Sequence, residues 1–192
     1  MFPSFVNMLQ DTQQKIIDSA IIIFNDDFSA PIEKVADRAE VTRRTLHRYF
    51  GERKDLLLAC QLEMQKTCRA GMLTAFESSP DLLIKLEQML YACIDCGSKY
   101  SFLNKLHNQQ GHIHDHENEE CANYDHSFGL ITTVISGLQE EGLVSRQLTV
   151  EWMTSLFTGI IRSTIDSLTS GTVASASIKK FAWFSFSKGI GA

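Results

Sequence analysis

Residues 32–50, IEKVADRAEVTRRTLHRYF, decide the fold of this chain. Pro31 precedes this stretch, where a proline suits the start of a helix, and apolar residues then recur at helical spacing: Ile32, Val35, Ala36 and Ala39. Thr42 is a good N-cap for a second short helix, at about residues 43–50. Two helices of about eight residues, joined by the turn at residues 40–42, predict a helix-turn-helix unit.

Helical periodicity continues through the rest of the chain, and no strand-type alternation persists. The sequence therefore predicts an all-α protein of about nine helices. We expect a helix-turn-helix domain at residues 1–55 and a helical effector-binding and dimerisation domain at residues 56–192. Besides the two short helices, the predicted helices cover about residues 10–26, 53–77, 80–96, 99–110, 118–141, 149–170 and 174–188.

The charge of the chain is unevenly distributed. Its 192 residues carry 18 Lys and Arg against 23 Asp and Glu, a formal charge of −5, which argues against a protein that coats nucleic acid nonspecifically. Residues 43–54, however, hold five cations against Glu52 alone, a net charge of +4. A local basic cluster on an acidic protein suits a focused anionic target, although such a cluster by itself is usually a solvated helix face.

The second short helix of the motif supplies the candidate DNA contacts. In a helix-turn-helix its N-terminal residues enter the major groove, where Arg reads guanine or clamps phosphate and Thr contacts a base edge or a phosphate. His47 and Tyr49 have polar tips that can reach phosphate, and Lys54 begins the next helix. The predicted DNA-binding residues are Thr42, Arg43, Arg44, Thr45, His47, Arg48, Tyr49 and Lys54.

Residues 13–59 resemble the N-terminal domain of the tetracycline-repressor (TetR) family. The matching features are Ile16-x-x-x-Ala20-x-x-x-Phe24, Phe28, Val35-Ala36, Ala39-x-Val41-Thr42, Thr45-Leu46-x-x-x-Phe50 and Lys54-x-Leu56. The chain departs from the family pattern at His47, where the family usually has Tyr, and at Asp27, where Gly often ends the first helix.

The resemblance implies a homodimeric regulator with a small-molecule pocket in each subunit. It also implies a pseudo-palindromic DNA operator that a repressor of this kind releases when its effector binds. The last two predicted helices are apolar over much of their circumference, so we expect dimerisation through them, with one large shared core as the alternative.

The sequence also contains candidate residues for an effector pocket and for a metal site. Aromatic and imidazole side chains on the C-terminal helices would suit a hydrophobic effector, although such a stripe is more often core: Tyr91, Phe102, His107, Phe128, Trp152 and Phe157. His112, His114 and His116 alternate and could bind Zn²⁺, which would make the chain a metal-responsive regulator or a metal-binding helical protein. The alternative, which we favour, is a solvated acidic loop, because the spacing fits no standard zinc site.

Other sequence features argue against several classes of function. No nucleophile elbow, phosphate-binding glycine loop or HExxH is present, so neither enzyme activity nor a required cofactor is expected. No apolar run approaches the ~20 residues of a membrane span, and the first basic residue is Lys15, so neither a membrane partner nor a secretory signal is expected. The odd count of five cysteines predicts unpaired thiols in a reducing cytoplasm, with the Cys93/Cys96 pair serving a structural role.

Overall fold

The computed structural model describes the backbone of residues 5–102 and 119–192 and the side chains of residues 11–102 and 129–192. Within these ranges the chain forms helices and no strands, which confirms the all-α prediction. The helices are α1 (Phe5–Asp26), α2 (Ile32–Arg38), α3 (Arg43–Tyr49), α4 (Arg53–Glu77), α5 (Leu82–Lys99), α6 (Glu119–Glu140), α7 (Val150–Ser170) and α8 (Ser175–Ile190). The helix predicted at residues 99–110 lies mostly outside the described residues.

Two compact units divide the chain. The first comprises residues 1–64 and 99–111, and the second comprises residues 65–98 and 112–192. The division falls inside α4, so the first unit extends beyond the helix-turn-helix and includes the start of α4. The functional boundary predicted at residue 55 stays a prediction.

The first unit has a core built on the apolar stripe of α1. Ile16, Ala20 and Phe24 are at most 1% exposed, as the helical spacing predicts, and Val35 of α2 and Leu46 of α3 are buried as deeply. Burial of Leu46 holds one side of α3 against this core, and the other side of the helix faces solvent.

Asp27 forms the turn that leaves α1. Its side-chain carboxylate accepts hydrogen bonds from the Ser29 backbone N–H at 2.9 Å and from the Ser29 hydroxyl at 2.5 Å. These bonds lower the pKa of Asp27, the hydroxyl contributing most. The departure from glycine at this position is therefore accommodated by a side-chain turn.

The second unit has one hydrophobic core to which α4 to α8 contribute. Met72 of α4, Leu90 of α5 and Ile135 of α6 belong to it, and Phe157 of α7 meets Phe186 of α8 edge to face at 5.2 Å between ring centroids. Gly142 follows the end of α6 and Gly171 ends α7, and both adopt a left-handed conformation, with φ of 73° and 66°. The end of α3 differs from these, because extended Phe50 ends the helix and Gly51 after it has no left-handed φ.

A disulfide joins Cys68 of α4 to Cys96 of α5, with Cα atoms 5.6 Å apart. The expectation of unpaired cysteines is therefore wrong for these two residues. It failed because pairing depends on two helix faces that lie 28 residues apart in sequence and meet only in the folded unit. Cys60 and Cys93 carry free thiols.

Among the described residues, no helix combines the length and the apolar character that crossing a membrane requires.

Candidate nucleic-acid interface

The turn between α2 and α3 is closed by backbone hydrogen bonds. Val41 N–H donates to the Ala36 carbonyl at 3.0 Å and Glu40 N–H donates to the Asp37 carbonyl at 3.1 Å. Glu40 itself has φ 54°, the left-handed conformation that this helix end requires. Lys15 of α1 binds the Glu40 carboxylate at 2.8 Å, and this hydrogen bond holds the pKa of Glu40 below its usual value. The turn is thereby tied to α1.

Thr42 caps α3 as predicted. Its hydroxyl oxygen accepts the Thr45 backbone N–H at 3.1 Å, and the hydroxyl groups of Thr42 and Thr45 lie 2.9 Å apart. The cap fixes the direction in which α3 starts, and with it the positions of Arg43 and Arg44 in the first turn.

The outer side of α3 is cationic. Leu46 and Phe50 are 1% and 3% exposed, whereas the side chains at positions 43, 44, 47 and 48 are exposed. This i, i+4 spacing brings Arg43, Arg44, His47 and Arg48 to one solvent-facing side. These four predicted contact residues therefore form one surface, which can approach an anionic ligand.

Two members of the predicted set differ from the others in their surroundings. The Nδ1 atom of His47 lies 3.3 Å from the Gly51 carbonyl oxygen, and because a carbonyl only accepts, Nδ1 carries a proton in this contact. Tyr49 is half-buried, and its hydroxyl is buried with no hydrogen-bond partner among the described residues. The Arg48 guanidinium lies over the Tyr49 ring, 5.2 Å from the centroid.

Arg53 serves the fold rather than the cationic surface. One guanidinium nitrogen donates to the Ala30 carbonyl at 2.5 Å and the other donates to the Phe28 carbonyl. The same group lies 4.4 Å from the centroid of the Phe24 ring and 5.1 Å from that of Phe28. Counting Arg53 in the basic cluster therefore overstated the charge available to a ligand. The position of Arg53 at a helix N-terminus is a weak signal for this role, since a cation is disfavoured there unless it has acceptors.

Lys54 remains exposed at the start of α4. Its ammonium lies 3.0 Å from a Glu52 carboxylate oxygen, and both side chains are largely exposed. Asp55 caps the same helix end, because its carboxylate accepts the Glu52 N–H at 2.8 Å. An exposed ion pair of this kind contributes little free energy, so the Lys54 ammonium can exchange Glu52 for another anion.

The predicted pocket residues that the structure describes differ in their surroundings. Phe102 is 2% exposed and packs against Phe24 and Phe28 of the first unit, at 5.7 and 6.2 Å between ring centroids. Phe157 is fully buried in the core of the second unit, and Trp152 is 60% exposed. Tyr91 is half-buried and donates its hydroxyl to Glu87 at 2.6 Å; burial, then this bond, raises its pKa to about 12. His107 and the side chain of Phe128 lie outside the described residues.

The predicted zinc ligands His112, His114 and His116 also lie outside the described residues. Across the part of the chain that the structure describes, no group of three or more His, Cys, Asp or Glu side chains could hold a metal ion.

The last two helices carry large apolar side chains that are exposed to solvent. Trp152 of α7 and Phe181 and Phe184 of α8 are 60%, 54% and 64% exposed. Gly159, one to two turns after Trp152 in α7, is exposed, and a Cβ built on it would meet no atom within 4 Å. We call these four residues the aromatic surface. A contiguous exposed apolar patch marks an interaction surface, and these residues are the candidates for one on α7 and α8.

Comparison with known proteins agrees with the geometry of the first unit. Residues 16–60 match the family model described as bacterial regulatory proteins, tetR family. The first unit thus contains a segment that is similar to the DNA-binding domain of that family. The chain is 30% identical over 86 residues to the HTH-type transcriptional repressor LfrR of Mycolicibacterium smegmatis, and this alignment covers 45% of the chain and 46% of that relative. The chain thus spans, in this alignment, less than half of the relative's length.

Solved structures of TetR-like proteins share the fold over nearly the whole chain. LfrR of Mycobacterium smegmatis, crystallised with proflavine, superposes with a TM-score of 0.73 at 22% identity, covering 95% of this chain and 98% of LfrR. PfmR, a TetR-family regulator of Thermus thermophilus, gives a TM-score of 0.69 at 16% identity, covering 89% and 94% of the two chains. At such identities the likeness establishes the fold alone. The TetR-like architecture therefore extends through the second unit.

Proposed function

We propose that this protein is a DNA-binding transcriptional regulator of the TetR family, and specifically a repressor that a small-molecule effector releases from a pseudo-palindromic operator. The observation that carries the proposal is the capped α3 helix, whose buried side anchors it and whose exposed side is cationic. The family match at residues 16–60 and the likeness to the repressor LfrR support it.

The cationic side of α3 would read and grip the major groove. Arg43 and Arg44 lie in the first turn, the part of a recognition helix that contacts base edges, and a guanidinium can bind guanine through two parallel hydrogen bonds. Arg48, one turn later, reaches the flanking phosphates. Thr42 and Thr45 already bond to each other and can add contacts through the second lone pair or proton of each hydroxyl.

Phosphate contacts would position the domain on the duplex. Lys54 can exchange its exposed partner Glu52 for a phosphate oxygen. His47 differs from the usual family Tyr, because a neutral imidazole that carries its proton on Nδ1 presents only a lone pair at Nε2. The buried hydroxyl of Tyr49 would have to rotate outward to contact DNA, so we assign the contact first to the exposed cations.

A homodimer would supply the two DNA-reading domains that a pseudo-palindrome requires. The aromatic surface on α7 and α8 supports dimerisation through these helices, because a second copy would remove Trp152, Phe181 and Phe184 from water. The exposed Gly159 would let the two copies approach closely. A DNA partner also makes the cytoplasm the expected compartment.

The proposed effector is a hydrophobic or aromatic small molecule. LfrR has been crystallised with proflavine, and the LfrR-like fold of this chain supports a ligand of that general character. Release from DNA requires that the effector bind the DNA-incompetent arrangement more tightly than the competent one. Equal affinities would leave the equilibrium between the two arrangements unchanged.

The test is operator binding by alanine variants, measured by fluorescence anisotropy on a duplex selected from a random pool. Arg44→Ala should weaken binding by about 1–3 kcal/mol and reduce discrimination between the selected and a scrambled duplex. Lys54→Ala should weaken binding to both duplexes similarly. It should also lower the dependence of affinity on salt concentration by the amount that corresponds to about one phosphate contact. Arg146→Ala, the same change at an exposed residue of the second unit, is the control and should bind like the unmodified protein. Unchanged affinity in both Arg44→Ala and Lys54→Ala would contradict the assignment.

A further inference from the structure

The Cys68–Cys96 disulfide joins two helices rather than two turns of one helix. Cys68 lies in the middle of α4 and Cys96 lies near the end of α5, and their Cα separation of 5.6 Å is in the usual range for a disulfide. Both residues are half-buried. The bond therefore constrains how α4 and α5 pack, and it joins two residues that retain partial exposure to solvent.

The crosslink lies one turn before the residues through which α4 joins the hydrophobic core. Cys68, Met72 and Ala75 follow one another at i, i+4 and i+7, so they share a face of α4, and Met72 and Ala75 belong to the core that also includes Leu86 and Leu90 of α5. The hydrophobic core thus holds the C-terminal half of α4 in either redox state. The disulfide extends the attachment one turn further, toward the part of α4 that begins at Arg53.

The other described thiols are poorly suited to the same chemistry. Cys60 is fully buried, and desolvation, with repulsion from Asp18 and Glu63, raises its pKa to about 12. Cys93 lies one turn before Cys96, packs against the core, and has its pKa raised to about 12 by burial. Since a thiolate is the reactive form, neither is reactive near neutral pH.

We propose that Cys68 and Cys96 are a reversible thiol pair that small-molecule disulfides oxidise, and that the resulting crosslink changes the affinity of the regulator for its operator. This inference rests on the proposed DNA-binding function. Lys54, a proposed phosphate contact, belongs to the same helix as Cys68, so a constraint on α4 acts on an element that takes part in binding.

The reaction is two successive thiol–disulfide exchanges. A thiolate of one cysteine attacks a small-molecule disulfide, RSSR, forms a mixed disulfide and releases one RS⁻. The second cysteine then attacks the protein sulfur of the mixed disulfide and releases the other RS⁻. The two cysteines give up two electrons and two protons, and RSSR is reduced to two RSH. An excess of thiol reverses both steps.

Oxidised and reduced glutathione are the probes. Unmodified protein is equilibrated at several ratios of the two, alkylated, digested and analysed by mass spectrometry for the peptide pair joined through Cys68 and Cys96. The same samples are measured for anisotropy on the selected duplex and for amide hydrogen exchange across residues 53–71. We expect the joined peptide to appear and disappear as the ratio of oxidised to reduced glutathione rises and falls. We also expect slower amide hydrogen exchange in the oxidised form, and operator affinities that differ at least fivefold between the two forms.

Variants separate this pair from the remaining cysteines. Cys68→Ser and Cys96→Ser should each abolish the redox dependence of affinity, whereas Cys93→Ala, in the same helix, should retain it. Absence of the joined peptide at every ratio would overturn the proposal, as would equal exchange in the two forms or affinities within twofold of each other. Failure to bind any duplex in either form would instead contradict the proposed function, and hydrogen exchange would still test the constraint on α4.

Discussion

Arg53 shows that a residue in a basic cluster can be committed to the fold. Its guanidinium binds two backbone carbonyls of the α1–α2 loop, those of Phe28 and Ala30, and covers the ring of Phe24. Lysine has the same charge but cannot place two donors in this fork.

We therefore expect Arg53→Lys to lower the free energy of unfolding by about 2 kcal/mol, the contribution of one hydrogen bond from a charged group. Arg43→Lys, an equivalent change at an exposed position, should alter it by less than about 0.5 kcal/mol. Urea unfolding monitored by circular dichroism measures both. Equal losses in the two variants would contradict the structural role of Arg53.

His47 allows a matched test of phosphate contact. With the Nδ1 proton directed at Gly51, the neutral ring has no donor at Nε2, whereas a tyrosine hydroxyl can donate. His47→Tyr should thus bind the selected duplex about fivefold more tightly at neutral pH, roughly 1 kcal/mol. His47→Phe supplies a ring without the hydroxyl and should show no gain. A similar gain in both variants would indicate an effect of the ring rather than a hydrogen bond to phosphate.

At the scale of elements, the disulfide between α4 and α5 should stabilise the second unit. A crosslink between residues 28 apart lowers the entropy of the unfolded chain, which by loop length is worth about 3.5 kcal/mol. Adding a reductant should lower the free energy of unfolding of the unmodified protein by about this amount, as measured in urea. Cys68→Ser should match the reduced protein and should not respond to the reductant. A reductant-independent midpoint in the unmodified protein would contradict this expectation.

The helices could be predicted from sequence because their signals are local. Thr42 begins a helix and Gly171 ends one, each through hydrogen bonds to residues a few positions away. The apolar stripe of α1 can be recognised from the spacing of its own residues. The roles of Arg53 and Cys68 could not be predicted, since their partners lie 23 to 28 residues distant and meet only after folding. The pocket prediction was weak for a related reason. Helical spacing of aromatics indicates burial, as for Phe157, but does not say whether the burial is against a cavity or against the core.

At the scale of the whole molecule, the aromatic surface should decide the oligomeric state. A carboxylate at position 184 would be buried as an unpaired charge in the proposed dimer interface. The free-energy cost of removing it from water would not be offset by contacts across an apolar interface. Phe184→Glu should therefore sediment as a monomer of 21.6 kDa, while the unmodified protein sediments at 43.2 kDa, twice that mass. Leu143→Glu, the same change at an exposed apolar residue outside α7 and α8, should remain dimeric. A dimeric Phe184→Glu would place the interface elsewhere.

The distribution of charge, rather than its sum, distinguishes the two functions of the molecule. Residues 1–70 carry ten basic and ten acidic side chains, so the net −5 belongs to residues 71–192. The cationic side of α3 is thus a local surface on an acidic protein, and screening confines its attraction to within about 8–10 Å. A focused surface of this kind suits specific recognition of a short DNA site.

Selection of binding sites from a random pool of duplexes tests the central claim most directly. We predict that the unmodified protein enriches an inverted repeat whose half-sites are spaced by about one helical turn, ~10 bp, or a multiple of it, as a two-fold dimer with one recognition helix per subunit requires. Arg44→Ala should lose part of that sequence preference. A pool that remains random after successive rounds, at a salt concentration where nonspecific binding is weak, would contradict the claim that α3 reads DNA.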